Sequence, residues 1–236
     1  MIRRPPRSTQ GVSSAASDVY KRQSQSIGKM IKAILYDLDG VLVDATEWHY
    51  ESLNAALKEV CGFIINRDEH VSTFNGIPTI KKLEILHEQG RIEKKIFNKI
   101  WEQKQEKTFQ VIEKLAIPDP SKIRLHKQTE NLKKVCVTNS IRKSAMLMLE
   151  KTGQLQYMDF VISNEDVSSP KPSPEGYKIT IEKLGLSLKE CMVVEDSPKG
   201  LEAAHKSGAH VFEVSGYHEV TLENILNKIN YFNMMK

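Results

Sequence analysis

Long apolar runs are missing from this sequence. No segment approaches the ~20 consecutive apolar residues that a membrane-spanning helix requires, so no membrane partner is expected. Cysteine is scarce. Cys61, Cys136 and Cys191 stand far apart and match neither a zinc motif nor a redox pair. Two of them fall in apolar runs that read as strands, which suggests buried free thiols and a reducing cytoplasm. A real charge excess is missing too. The formal charge is +4, but residues 1–29 hold six basic residues (Arg3, Arg4, Arg7, Lys21, Arg22, Lys29) against Asp18. That segment carries +5 and leaves −1 for the rest. The basic balance is therefore no argument for nucleic acid as a partner.

The first 29 residues, MIRRPPRSTQGVSSAASDVYKRQSQSIGK, are rich in Arg, Ser and Pro and show no periodic apolar face. Disorder is expected there. The segment lacks the apolar centre of a secretory signal, while its basic character leaves a transit peptide open. The stretch IRRPPRSTQGVSSAASDVYKRQ resembles the conceptual translation of a sequencing-adapter read-through. On that preferred reading the leader is non-native and Met30 is the true start.

Five short apolar runs read as strands: Ile31–Tyr36, Val135–Thr138, Phe160–Ser163, Cys191–Val194 and His210–Val214. Between the last four, the stretches 140–152, 173–184 and 198–207 have helical periodicity. Gly153, Gly185 and Gly208 follow them as C-terminal stops. Alternating strands and helices, with apolar strands, predict an α/β fold with a parallel sheet covered on both faces. One interval breaks this rhythm. Nearly a hundred residues separate the first two strands, far more than a crossover needs. The pattern there is helical over 47–60, 79–88 and 92–115. Residues 46–118 are therefore expected to form an inserted helical domain, with IPDP (117–120) as the return hinge. Residues 30–45 and 119–236 would form the core, with 121–132 a core helix.

In LYDLDGVLVD, Asp37 follows the first strand and Asp39 stands two residues on. Side chains at the carboxyl end of a parallel strand reach the crevice where ligands bind. Gly40 allows a sharp turn. Two acids so placed can divide the labour. Asp37 can attack an electrophile, and Asp39 can protonate a leaving oxygen and later activate water. An Asp-rich turn would give the same string, so its weight depends on partners. In VCVTNS, a strand ends in Thr138, Asn139 and Ser140 just before a helix, a combination that suits an anion. Ser140 is also a good helix cap, and both services are expected of it. In SSPKPSPEGY, Lys171 lies in a proline-stiffened loop, where it can neutralise an anion or simply be solvated. In CMVVEDSPKG, Glu195 and Asp196 end the fourth strand. Such acids suit Mg²⁺, which takes a few carboxylates plus waters and phosphate oxygens. Asp196 or Ser197 before Pro198 also reads as a helix start.

Taken in order, Asp37-x-Asp39-Gly40, Thr138, Lys171-Pro172 and Glu195-Asp196 resemble the four signature motifs of the haloacid dehalogenase superfamily, across the whole chain from Met30. The helical insertion resembles the cap of the subfamily containing phosphoglycolate phosphatase and β-phosphoglucomutase. The resemblance implies a Rossmann-like core and phosphoryl transfer through an aspartyl-phosphate on Asp37. It implies Mg²⁺ held by Asp37, the Asp39 backbone carbonyl, Asp196 and, in an assisting part, Glu195. Gly40, Thr138, Asn139 and Lys171 would surround the phosphoryl group, with Lys171 also restraining Asp37. The physical logic agrees, because an anionic nucleophile meets an anionic phosphate only when cations offset the repulsion. A dehalogenase needs neither the metal nor the second acid.

Specificity should then lie in the cap, which is expected to exclude water on closing. His49 falls ten residues after Asp39, as a histidine does in β-phosphoglucomutase, where it joins cap and core. A helix-surface or interface histidine is the other reading. Ala45 stands where that mutase has threonine, and Thr79 where it has a substrate-binding arginine, so a different substrate or plain hydrolysis is inferred. Gly76, Thr79 and Lys82 form the candidate specificity loop, with Lys82 as a solvated lysine the alternative. The expectation is a Mg²⁺-dependent phosphatase of a small phosphorylated metabolite, a sugar phosphate or related phosphoester, acting as a monomer or weak homodimer. A phosphomutase and a non-catalytic binding module are the competing readings.

Overall fold

The computed structural model describes residues 30–235. The expectations for residues 1–29 lie outside them. The apolar runs form five strands: β1 (Ala33–Tyr36), β2 (Lys133–Val137), β3 (Phe160–Ile162), β4 (Cys191–Glu195) and β5 (His210–Glu213). Every pairing is parallel, in the order β3-β2-β1-β4-β5. β1 lies in the middle. The chain winds from it through β2 to β3 on one side, then crosses back to β4 and β5 on the other. The carboxyl ends of β1, β2 and β4 meet where the winding reverses, the place where open α/β sheets bind ligands.

Side-chain alternation along the strands divides the core in two. Ile34, Tyr36, Cys136, Met192 and Val194 face one way. They pack with Leu125 of helix α4 (Pro120–Gln128), with Met148 and Leu149 of α5 (Arg142–Lys151), and with Ile225 and Phe232 of α8 (Leu222–Met234). Ala33, Leu35, Val135, Val137 and Val193 face the other way, against Tyr177 and Ile181 of α6 (Glu175–Leu184) and Ala203 and Ala204 of α7 (Pro198–Ser207). Burial on both faces explains why the strands read as continuous apolar runs.

Between β1 and β2 lie α1 (Thr46–Cys61), α2 (Thr79–Glu88) and α3 (Phe97–Leu115). They share an apolar cluster of their own, which includes Leu53, Leu57, Phe74, Leu83, Leu86 and Ile100. No described helix is long and apolar enough to cross a membrane.

Several expected boundaries shift. The segment 92–115 is not one helix: a 3₁₀ turn, Lys94–Ile96, precedes α3. Helix α4 starts at Pro120, because Asp119 Oδ1 accepts from the backbone N–H groups of Ser121 (2.8 Å) and Lys122 (3.3 Å), and it ends earlier than expected. Ser140 does not cap α5. That helix starts at Arg142, whose N–H donates to Glu165 Oε2 at 2.6 Å. Elements without a counterpart in the sequence expectations include several short helical turns, the π-helix His70–Phe74 and α8. In α8, Ile225, Ile229 and Phe232 repeat at helical spacing and are all buried.

One glycine joins the fold to the crevice. In the first turn of α7, Gly200 N–H donates to the cap residue Ser197. A Cβ on Gly200 would stand 2.0 Å from Glu195 Oε1, the fully buried acid that ends β4. We expect Gly200→Ala to displace Glu195 or α7 and to lower unfolding free energy by about 1–3 kcal/mol, the usual range for overpacking. Urea titration followed by circular dichroism measures this.

Candidate active site

Asp37 follows β1 and is 7% exposed. Its backbone N–H donates to Val194 O (3.0 Å), which fixes it against the end of β4. Its Oδ1 accepts from Lys171 Nζ at 2.6 Å. The same ammonium bonds Glu195 Oε1, which also accepts from Tyr177 Oη at 2.9 Å. Glu195 Oε2 accepts from the backbone N–H of Asp196 (3.0 Å) and from the N–H and Oγ of Ser197 (both 3.3 Å). Burial alone would discharge Lys171, but Asp37 and Glu195 outweigh it and hold it firmly charged. Burial and Glu195 push Asp37 upward against the pull of Lys171.

One carboxylate oxygen each of Asp37, Glu195 and Asp196 lies within 4.8 Å of the others. The three acids are not equivalent. Glu195, expected to assist a metal, already has both oxygens engaged by protein donors. Asp196 Oδ1 is buried and has no partner among the described residues. Burial, then Glu195 and Asp39, raise Asp196 to about 7. Three carboxylates around one ammonium leave an excess of negative charge, and hard oxygen donors with an orphaned acceptor fit a divalent cation. Gly40 makes this approach possible: at φ +87°, a Cβ there would lie 2.1 Å from Asp196 Oδ2.

Asp39 points elsewhere. Its Oδ1 lies 2.8 Å from His49 Nε2, and its Oδ2 accepts from Ser140 Oγ at 2.8 Å. Ser140, expected to cap a helix, thus orients an acid. Burial works to raise Asp39, but His49, Ser140 and Lys104 together hold it down at about 2. Burial also lowers His49, with Lys104 and Lys82 adding to the effect and Asp39 opposing it. Lys104 Nζ stands 3.4 Å from His49 Nδ1.

Thr138 directly follows β2 and lines the pocket, its Oγ1 accepting from Ser140 N–H at 3.0 Å. The Asn139 side chain, expected at the phosphate, is spent as a strut. Its Oδ1 accepts from Lys171 N–H (3.0 Å), and its Nδ2 donates to Gly76 O (3.0 Å) and Lys171 O (3.2 Å). At the N-terminus of α5, Glu165 Oε2 accepts from the Arg142 N–H. Gly76, Thr79 and Lys82 all line the pocket, Thr79 and Lys82 buried. Lys82 is therefore not a surface lysine. Asp44 is exposed.

The pocket joins both parts of the chain and has an empty volume of ≈ 830 Å³ including its open mouth. Trp101, Lys104 and Gln105 of α3 line it and were not foreseen. A signal existed: Lys104 shares the buried stripe of α3 with Ile100, Thr108 and Ile112, where a cation is out of place. Tyr177, read only as an apolar helix position, also serves the site through Glu195.

Comparison with known proteins agrees with this geometry. A phosphorylated carbohydrates phosphatase of Thermotoga maritima is 26% identical over 180 residues, covering 75% of this chain and 82% of the relative. A phosphoglycolate phosphatase of Nitrosospira multiformis is 27% identical over 196 residues, covering 80% and 86%. The solved β-phosphoglucomutase of Clostridium difficile superposes with a TM-score of 0.74 over 87% of this chain and 100% of its own, at 21% identity, a likeness of fold alone. The model of the haloacid dehalogenase-like hydrolases matches residues 34–214. With its acids, lysine and strand order in place, the chain belongs to the haloacid dehalogenase-like hydrolase family.

Proposed function

We propose that this chain is a Mg²⁺-dependent phosphatase of a small phosphorylated metabolite, a sugar phosphate or related phosphomonoester, working through an aspartyl-phosphate. One observation carries the reading: a buried carboxylate, Asp37, held 2.6 Å from a charged buried lysine at the mouth of a parallel sheet, beside the orphaned oxygen of Asp196. Relatives named as phosphatases of phosphorylated carbohydrates and of phosphoglycolate support it. In this reading residues 46–118 are the cap and the remainder from 30 is the catalytic core. The buried thiols of Cys136 and Cys191 suit a cytoplasmic enzyme.

Asp37 attacks phosphorus while the bond to the leaving oxygen breaks, and Asp39 gives that oxygen a proton. Water then attacks the aspartyl-phosphate, Asp39 takes the proton, and inorganic phosphate leaves. As held by His49 and Ser140, Asp39 is an acceptor, the state suited to the second step. Lys171 and Thr138 receive the phosphoryl oxygens. Asp37, Asp196 through its free Oδ1, and the Asp39 backbone carbonyl would hold Mg²⁺, which when bound offsets the negative charge gathered by nucleophile and phosphate. Glu195 serves by holding Lys171 in line.

Two outcomes test this reading. Phosphate release from a panel of phosphomonoesters should require Mg²⁺, stop on chelation and fall at least about a thousandfold in Asp37→Asn, since the nucleophile is gone. Full activity in that variant would sink the mechanism, and isomerisation of a sugar phosphate without phosphate release would establish a mutase. Lys171→Met should abolish turnover and, without metal, destabilise the fold by about 3–5 kcal/mol, because Asp37 and Glu195 lose their buried counter-charge. Denaturant unfolding in the presence of a chelator reads that cost.

A further inference from the structure

Among the described residues, every buried lysine except Lys82 has at least one hydrogen-bond partner for its ammonium, though Lys104 has only His49 Nδ1 at 3.4 Å and Lys134 only Leu132 O at 3.2 Å. Lys171 has two carboxylates. Lys122 is 2% exposed, and its Nζ donates to Tyr217 O (3.0 Å) and Val220 O (2.8 Å) and lies over the Tyr217 ring. Lys82 breaks this pattern. It is 5% exposed, lines the pocket from α2, and has no hydrogen-bond or ion-pair partner among the described residues. The acids that line the pocket are engaged elsewhere, Asp37 with Lys171 and Asp39 with His49. Burial, then Lys104 and Lys199, make the ammonium of Lys82 costly to hold, and Asp39 only partly offsets this, so it falls to about 7. Lys104, on the facing helix, is lowered to about 8 by burial. His70 cannot answer the charge, since burial and Lys82 keep it neutral with a value of about 3. Ile77, Ile80 and Trp101 also line the pocket and offer these amines no hydrogen-bond acceptor from their side chains.

A buried amine without a partner is destabilising. It makes sense where a ligand supplies the missing charge. We propose that Lys82, backed by Lys104, is a second anion-binding point in the pocket, so that the substrate is a phosphoester whose leaving part carries its own carboxylate or further phosphate. This rests on the phosphatase reading of the same pocket. The core groups hold the phosphoryl group being transferred, and Lys82 holds the far end of the molecule.

Matched pairs of esters test it: glycerol 3-phosphate against 3-phosphoglycerate, and fructose 6-phosphate against fructose 1,6-bisphosphate. The second member of at least one pair should have a kcat/KM at least about tenfold higher, the scale of one charge-assisted hydrogen bond. The pair that shows the preference tells carboxylate from phosphate. Lys82→Met should collapse the preference to near unity, while Lys82→Arg keeps most of it. Lys82→Met should also melt no lower than the parent protein, because an unpaired buried charge has been removed. Equal rates within both pairs, a preference untouched by Lys82→Met, or a large loss of melting temperature in that variant would each overturn the proposal. If no ester is turned over, the phosphatase reading fails, and the anion site is decided by calorimetry. Titration of Asp37→Asn protein with each pair should still favour the doubly anionic member, and equal binding would reject the site.

Discussion

The ion cluster under the crevice, Lys171 between Asp37 and Glu195, is the constraint on which the rest of the site depends. Three charged groups leave water there, and their attraction repays the cost only if the remaining lone pairs are also satisfied. Glu195 meets that condition with Tyr177 from α6 and with Asp196 and Ser197 at the start of α7. Among the described residues the Asp37 carboxylate is bonded through one oxygen only, to Lys171, while its backbone N–H fixes it to β4. The loop carrying Lys171 is fixed in turn by Asn139 at the end of β2. Three strand ends, two helix starts and one loop are tied to a single ammonium. This also explains Gly200. The helix can start so close to Glu195 only because nothing projects from that residue.

The sheet was readable because each strand is buried on both faces and so appears as an uninterrupted apolar run between helical stretches. The signature acids were readable because they stand at strand ends, where an apolar segment stops abruptly on a carboxylate. What escaped notice was the engagement of the polar groups. Ser140, Asn139 and Glu195 have side chains that suit several tasks, and their one-dimensional context favours the common task. Ser140 before a helix suggests a cap, yet Asp39, about a hundred residues earlier in the chain, claims its hydroxyl. Asn139 beside a threonine at a strand end suggests an anion ligand, yet its side chain braces two loops. Glu195 beside Asp196 suggests a pair of metal ligands, yet only Asp196 keeps an oxygen free. Each of these outcomes is set by partners remote in sequence.

The helical interval shows the opposite limit. Its helices were visible in periodicity, but its role in the pocket depends on which turn of α3 faces the crevice. Lys104 sits in a buried stripe with Ile100, Thr108 and Ile112. Such a position normally selects against charge, so a lysine retained there signals something beyond packing. Lys82 is a parallel case on α2, where Thr79, Leu83 and Leu86 share the buried side.

These lysines also link the two parts of the chain through chemistry as well as contact. Asp39 belongs to the core, but the groups that hold it ionised come largely from the interval: His49 on α1 at 2.8 Å, and Lys104 on α3 behind it at 3.4 Å from the imidazole. Withdrawal of those helices would remove the imidazole and the amine, and the buried carboxyl would then take up a proton more readily. The protonation state of the core's acid is therefore tied to the position of the helices above it. In the proposed mechanism a proton donor is needed while the ester is intact, and an acceptor once water must be activated. One carboxylate could serve both steps of the proposed mechanism if its surroundings differed between them, and those surroundings include groups contributed by α1 and α3. The arrangement seen here, with Asp39 bonded by His49 and Ser140, suits the acceptor step of the proposed mechanism.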